Sequence, residues 1–209
     1  MANTDCLLGQ VADISIGYTF REKVEEVKPE RGNARVAQVK DLRKRWDETG
    51  SRLVSTENFP AIQWQGKSRL FADPGCVLLP SRGEFLKAFY WPESVTVTGA
   101  GALPIVVSSQ LMVIRSIDDR ILTEFVGWLL NQTAAQNFLR SGSLGTSMPM
   151  LKKKDLLELP LQIPRLETQH KILRLDRLWE QEQLLTQALL KNREAMLQGM
   201  YQQLLKENN

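Results

Sequence analysis

Along residues 1–115 the apolar positions fall in short runs separated by Gly, Pro and Asn. The runs are Val11–Ile16 before Gly17, Ala34–Val39, Val77–Leu79 before Pro80, Val95–Thr98, Ile105–Val107 and Gln110–Ile114. Short runs rich in Val, Ile and Thr predict strands, because β-branched side chains pack well on a pleated surface. Asp73-Pro74-Gly75, Ser81-Arg82-Gly83 and Gly99-Ala100-Gly101 supply turns between them. The outcome is a mixed or antiparallel β domain. From Thr123 the spacing changes: Phe125, Val126, Trp128, Leu129, Leu130, Ala134 and Phe138 recur at mainly helical intervals after a Thr123 N-cap. This helix is expected to run to about Leu139 and stop at Ser141-Gly142-Ser143, which opens a small-residue loop to Pro149. Leu151–Leu157 reads as a short helical or turn element, and Leu159–Ile163, with Pro160 and Pro164, reads as extended.

The last quarter has another character. From Arg165 to about Lys206 there is no proline and a single glycine, Gly199, and good helix formers dominate. A continuous helix of roughly 40 residues spans on the order of 60 Å. Leu178, Leu185, Leu189, Met196, Met200 and Leu204 fall near one face, which Glu182 and Asn192 interrupt. A domain of residues 1–160 is too small to bury such a stripe along its whole length, so residues 161–209 are expected to pair with another helix as a coiled coil. The competing reading lays the helix back on its own domain. Asn192 either fixes register and partner choice, as buried Asn does in coiled coils, or faces solvent. The fold class is therefore α+β: a β-rich domain with small helices, then one long helix. No internal repeat is visible.

A chain of 209 residues suits one sizeable domain plus an accessory element. It has no basic-then-apolar opening and no run of 18 apolar residues, so neither a signal peptide nor a membrane span is expected. Two separated cysteines, Cys6 and Cys76, with no His/Cys cluster, suit a reduced cytoplasmic protein without a structural metal. The net charge of +3 is a weak signal, but its distribution is uneven. Arg35, Lys40, Arg43, Lys44 and Arg45 face only Asp41 between residues 32 and 45, and Arg140, Lys152, Lys153 and Lys154 face no acid between residues 140 and 154. Lys67, Arg69, Arg82 and Lys87 lie between them. Each cluster alone reads equally as a solvated face. Catalytic motifs are missing: no nucleophile elbow, Walker loop, zinc-protease motif, Asn-Pro-Pro-aromatic run or strand-borne glycine-rich loop occurs. The lone histidine, His170, sits at the start of the long helix as a surface or capping residue, and Asp118-Asp119 read as solvated loop charge. No enzymatic activity and no cofactor are expected.

Several segments, in order, resemble the specificity subunits of type I restriction-modification systems. LLGQVADISIGYTF is similar to that family's opening strand and glycine turn, with Gly17, Thr19 and Phe20 in place. FADPGCVLLPSRGEF resembles its Gly-Asp-Val-Leu strand and Arg-Gly turn, with Cys76 standing where an acid is usual. VVSSQLMVIR and the stretch from LTEFVGWLL to QIPRLETQHKI resemble the strand, helix and linker that close a recognition domain. The most specific part is the linker pattern carried by Leu159, Pro160, Pro164, Leu166, Gln169 and Ile172, with Thr168 where Glu is common.

The resemblance covers nearly the whole chain, and it implies a non-catalytic DNA-recognition subunit with one target-recognition domain and one spacer helix. A full-length member has two of each, paired antiparallel. Two copies of this chain would restore that shape by two-fold symmetry and read an inverted, bipartite site. The implied partners are double-stranded DNA, a second copy, the modification (methyltransferase) subunits and the restriction subunit. Candidate DNA contacts are Arg82 beside Gly83, Lys87, and Arg140 with Ser143 and Thr146 of the small-residue loop, followed by Lys40 and Arg43. Tyr18 and Phe20 reach thymine methyl groups or belong to the core. Candidate pairing residues are Leu178, Leu185, Leu189, Asn192, Met196, Met200 and Leu204. Three other readings stand beside this one: an interaction protein that blocks assembly of such complexes, the recognition part of a fused methyltransferase, and an unrelated coiled-coil regulator.

Overall fold

The computed structural model describes residues 4–93, 103–141 and 150–207. The expected strand Val95–Thr98, the turn Gly99–Gly101 and the loop carrying Ser143 and Thr146 lie outside the described residues. Two compact units divide the chain, Met1–Leu173 and Arg174–Asn209.

The first unit is built on three sheets. Strand β1 (Thr4–Leu7) leads into a one-turn helix, α1 (Leu8–Val11), and then β2 (Ala12–Ile16). The run expected as one strand from Val11 thus begins in a helix, where the Gln10 side chain turns back and accepts the Leu7 N–H at 2.8 Å. There follow β3 (Glu26–Val27), β4 (Ala34–Ala37), helix α2 (Val39–Thr49), β5 (Ala61–Ile62), β6 (Phe71–Ala72), β7 (Cys76–Pro80) and β8 (Phe89–Trp91). After these come β9 (Ile105–Val107), β10 (Leu111–Ser116), helices α3 (Thr123–Leu130), α4 (Thr133–Ser141) and α5 (Lys153–Leu157), and β11 (Pro160–Ile163). Strands β2-β10-β7-β8 make an antiparallel sheet. Strands β3-β5-β4-β9-β6 make a mixed sheet in which only β4 and β9 run parallel. A third, two-stranded sheet pairs β1 with β11.

The four-stranded sheet lies between two cores, and its alternation shows how. Side chains point to opposite faces at successive strand residues. Val77, Leu79, Met112 and Ile114 enter one core with Leu8, Phe125, Leu130 and Leu156 of the helices. Cys76, Leu78 and Leu111 enter the other with Leu42 of α2 and Ile105 and Val107 of the second sheet. Both faces are covered, which is why β7 reads as an unbroken apolar run. A small third cluster, Ala34, Val36 and Ile62, packs under Phe20, Trp64 and Phe71 on the far face of the second sheet. Gly17 joins the two sheets: a Cβ there would lie 2.2 Å from the Ser108 carbonyl oxygen, so no side chain fits.

Three expectations need correction. The strand expected to reach Val39 ends at Ala37, and Val39 opens α2, which composition did not signal. The helix expected from Thr123 to Leu139 is two helices. Asn131 breaks it: its amide nitrogen donates to the Gly127 and Ala88 carbonyls, both at 2.9 Å, and its oxygen accepts the Ala88 N–H. Thr123 is the first helical residue rather than the cap, and its hydroxyl accepts the Ser116 N–H at 3.1 Å.

The first unit also runs past the expected boundary at 160, to Leu173. β11 is needed to complete β1, and the start of the final helix, α6 (Leu166–Glu207), is fastened by Gln169. That side chain is fully buried; it accepts the Leu122 N–H at 2.9 Å and donates to the Arg120 and Pro164 carbonyls at 2.7 and 2.8 Å. The linker pattern thus has a physical reason: the buried Gln169 side chain is fully bonded to three backbone groups of the two segments it joins. A β-rich domain with small helices followed by one long helix is the fold. Among the described residues no helix is long and apolar enough to cross a membrane.

Candidate nucleic-acid interface

Helix α2 forms because its inward positions are apolar and its first turn is capped. Val39, Leu42 and Trp46 face the second core at helical spacing, while the Asp41 carboxylate accepts the Gln38 N–H at 3.0 Å. Lys40, Arg43, Lys44, Asp47 and Glu48 line the outward side. Burial pushes Asp41 up to about 6, against the lowering effect of the Gln38 N–H and the neighbouring Lys40 ammonium. Lys40 is bonded to the Glu26 carboxylate, which neutralises it locally, and Lys44 stands 3.9 Å from Glu48.

Residues 81–88 cross in front of this helix and are tied down at both ends. Ser81 donates its N–H to the Gln110 carbonyl at 2.8 Å. At the far end Asn131 clamps Ala88 by both amide groups, and Gln136 of α4 donates to the Leu86 carbonyl at 2.9 Å. Between them Gly83 adopts φ +80°, a left-handed conformation that side chains resist, and so turns the chain at Arg82. Two cations bind segment and helix reciprocally. The Arg43 guanidinium of α2 lies 5.1 Å from the Phe85 ring centre, and the Lys87 ammonium of the segment lies 3.8 Å from the Trp46 ring centre. Each ring orients a cation from the opposite element.

The candidate DNA contacts are thus partly gathered. Arg43 and Lys87 share one surface, and exposed Arg82 stands at the turn of the same segment. Arg82 also bridges antiparallel to Met150, and the Leu151 N–H reaches the Ser81 carbonyl at 2.9 Å. Arg140 is exposed in the last turn of α4, one helical turn beyond Gln136. Lys40 belongs to the same helix as Arg43 but is held by Glu26. Sequence reasoning missed the rings beneath the cations, Trp46 and Phe85; the only signal was aromatic residues interleaved with basic ones. Tyr18 and Phe20 pack edge-to-face with Trp64, with centroids 5.0 and 5.8 Å from it, as part of an aromatic cluster.

Burial pushes the Cys76 thiol up to about 12 and also raises Cys6. Among the described residues no group of three or more His, Cys, Asp or Glu is placed to hold a metal ion.

Helix α6 carries the second candidate surface. Leu178, Leu185, Leu189, Met196, Met200 and Leu204 are all exposed, between 49% and 61%. Asn192 is exposed as well, and so are Trp179, Leu190, Leu197 and Tyr201. At 100° per residue these apolar positions cover roughly 160° of the circumference, with Asn192 at the margin.

No curated protein is significantly similar to the chain. Two solved structures are similar in fold. One, described as the structural basis of complex assembly and conformational transition of the type I R-M system, is 20% identical with a TM-score of 0.57, over 88% of this chain and 40% of that one. The other, the HsdS subunit of Thermoanaerobacter tengcongensis, is 20% identical with a TM-score of 0.51, over 88% of this chain and 38% of that one. The chain therefore spans about two fifths of the length of these relatives. The family model for the type I restriction modification DNA specificity domain matches residues 6–191. That match takes in β2 with its Gly17 turn, the Arg82 segment, the Gln169 clamp and much of α6, and the chain belongs to this family.

Proposed function

We propose that the chain is a non-catalytic, sequence-reading DNA-binding subunit of a type I restriction-modification system, and that it works as a homodimer. The convergence of Arg43, Arg82 and Lys87 on one fastened segment carries this reading. Arginine and lysine side chains neutralise phosphates, and an arginine held at a turn can also enter a groove and bind guanine by two hydrogen bonds. Arg140 extends the contact from the α4 side, Ser143 and Thr146 join it as contacts expected from the sequence, and Lys40 contributes least because Glu26 already holds it. The dimer forms through the exposed stripe of α6, with Leu178, Leu185, Leu189, Asn192, Met196, Met200 and Leu204 on or beside the contact. Two identical heads related by a two-fold axis read an inverted repeat with an unread spacer. The modification subunits dock on helix and head, bring the methyl-donor chemistry and flip the target base; the restriction subunit joins them. The chain itself binds no cofactor.

Solution mass combined with mapping of methylated sites in the presence of modification subunits tests the proposal. A dimer that directs methylation to an inverted bipartite sequence supports it. A monomer without effect on methylation overturns it, and a dimer that only suppresses methylation favours the reading as an assembly-blocking interaction protein.

A further inference from the structure

We infer that α6 pairs with a second copy in one antiparallel register, the one that sets Glu182 against Arg193 of that copy. The inference rests on the dimeric reading above. Along α6 the positions 178, 182, 185, 189, 193, 196, 200 and 204 recur at intervals of three and four and share one face. Six of them are Leu or Met, and the other two are Glu182 and Arg193. These two are one 11-residue repeat apart, at nearly the same angle on the helix, and carry opposite charge. Both are exposed, and neither has an ion-pair partner within its own chain among the described residues. A charge inside an apolar contact face demands a partner, because a charge buried without one loses its hydration and gains nothing in return.

A two-fold axis between Gln187 and Ala188 answers both charges at once. It sets each Glu182 opposite Arg193 of the second copy, twice. The same axis brings Leu178 level with Leu197, Leu185 with Leu190, Trp179 with Met196, and Leu175 with Met200 of the second copy. All of these side chains are exposed in the single chain. Glu182, Arg193, Leu175 and Met200 all lie near the middle of the stripe, where residues at one level of two antiparallel helices meet. Register then fixes spacing: Leu173 stands roughly 22 Å along the helix from the axis, so the two Leu173 positions are roughly 43 Å apart, little more than one turn of DNA.

Sedimentation equilibrium on the full chain tests this with E182R and R193E. Each variant alone places like charges opposite each other twice, and its self-association is expected to weaken by roughly tenfold or more. Mixed in equal amounts, the two variants pair with each other, because every 182–193 contact again joins opposite charges. The double variant E182R/R193E dimerises like the native chain for the same reason. Single variants that self-associate as tightly as native protein overturn the register while leaving the dimer intact, as does a mixture that fails to pair. A native chain that is monomeric overturns both the register and the dimeric reading.

Discussion

Leucine has two fates in this molecule. In the first unit Leu8, Leu78, Leu79 and Leu111 are entirely buried, whereas Leu178, Leu185, Leu190 and Leu205 of α6 are more than half exposed. The residue type is the same, so the difference lies in what surrounds it. Burying a leucine contributes about 2 kcal/mol, and the first unit collects that gain from its own strands and helices. The helix beyond Leu173 forms all its backbone hydrogen bonds internally, but its side chains gain nothing comparable without a partner. A buried core and an exposed stripe are thus written in one apolar alphabet.

Placing a charge at the centre of the exposed stripe breaks the comparison most severely. Leu189→Glu is expected to abolish dimerisation, at a cost of several kcal/mol (on the order of 3–5), because an unpaired carboxylate would be buried in each copy. Light scattering should report a monomer, while thermal unfolding of the first unit stays unchanged. An unaltered mass would mean that Leu189 faces solvent in the assembled protein.

A cut inside the self-sufficient unit should act in the opposite way. Leu78→Ala leaves a cavity between the two sheets and is expected to cost about 2–5 kcal/mol, with a clear fall in melting temperature. Gln169→Ala, which strands three backbone groups, should cost about 2–3 kcal/mol by the same measurement. Neither change touches the α6 stripe, so variant protein that remains folded should dimerise as before. A loss of dimer at temperatures where the fold persists would show that the two regions are coupled more closely than burial suggests.

How legible each region was in the sequence follows the same division. The α6 stripe depends on one helix and its period, and Leu166–Glu207 differs from the expected helix by a residue at either end. The strands β7 and β10 of one sheet and β9 of the other were legible because they are apolar on both faces, and runs such as CVLLP survive without context. Helix α2 was not, since VKDLRKRWDET shows only three inward residues among charges. Its inward face is defined by Phe59, Phe89 and Ile105, which are far away in sequence. The break at Asn131 was hidden for a similar reason, because its partner is Ala88. Among the candidate contacts, Arg82 was readable from its glycine turn. The pairing of Arg43 with Phe85 and of Lys87 with Trp46 joins segments some forty residues apart, and no local pattern encodes it.

Smaller effects separate reading from holding within the first unit. Arg82→Ala is expected to lower DNA affinity by about 1–3 kcal/mol on the preferred sequence and by less on others, relaxing preference at one base pair. Lys87→Ala should weaken binding to all duplexes alike and reduce the slope of log affinity against log salt by about one. Fluorescence anisotropy across a salt series distinguishes the two. Equal effects from both variants would place Arg82 on phosphate, and no effect from either would move the interface off this segment.

The mildest expected effect concerns a polar group that the first unit buries incompletely. Asp41 titrates at about 6 instead of 3.8, chiefly because it is desolvated at the start of α2. The folded state therefore prefers the neutral carboxyl. Its contribution to stability is complete below about pH 4 and is lost as pH rises through 6. Asp41→Asn keeps an oxygen for the Gln38 N–H but cannot ionise. The variant should match native stability near pH 4 and exceed it modestly above pH 6, as followed by melting curves at intermediate values. Parallel profiles for the two proteins would mean that solvent reaches Asp41 freely, and that the dry environment inferred for the first turn of α2 is wrong. The same substitution leaves α6 untouched, so the mass of the dimer should not change with it at any of these pH values.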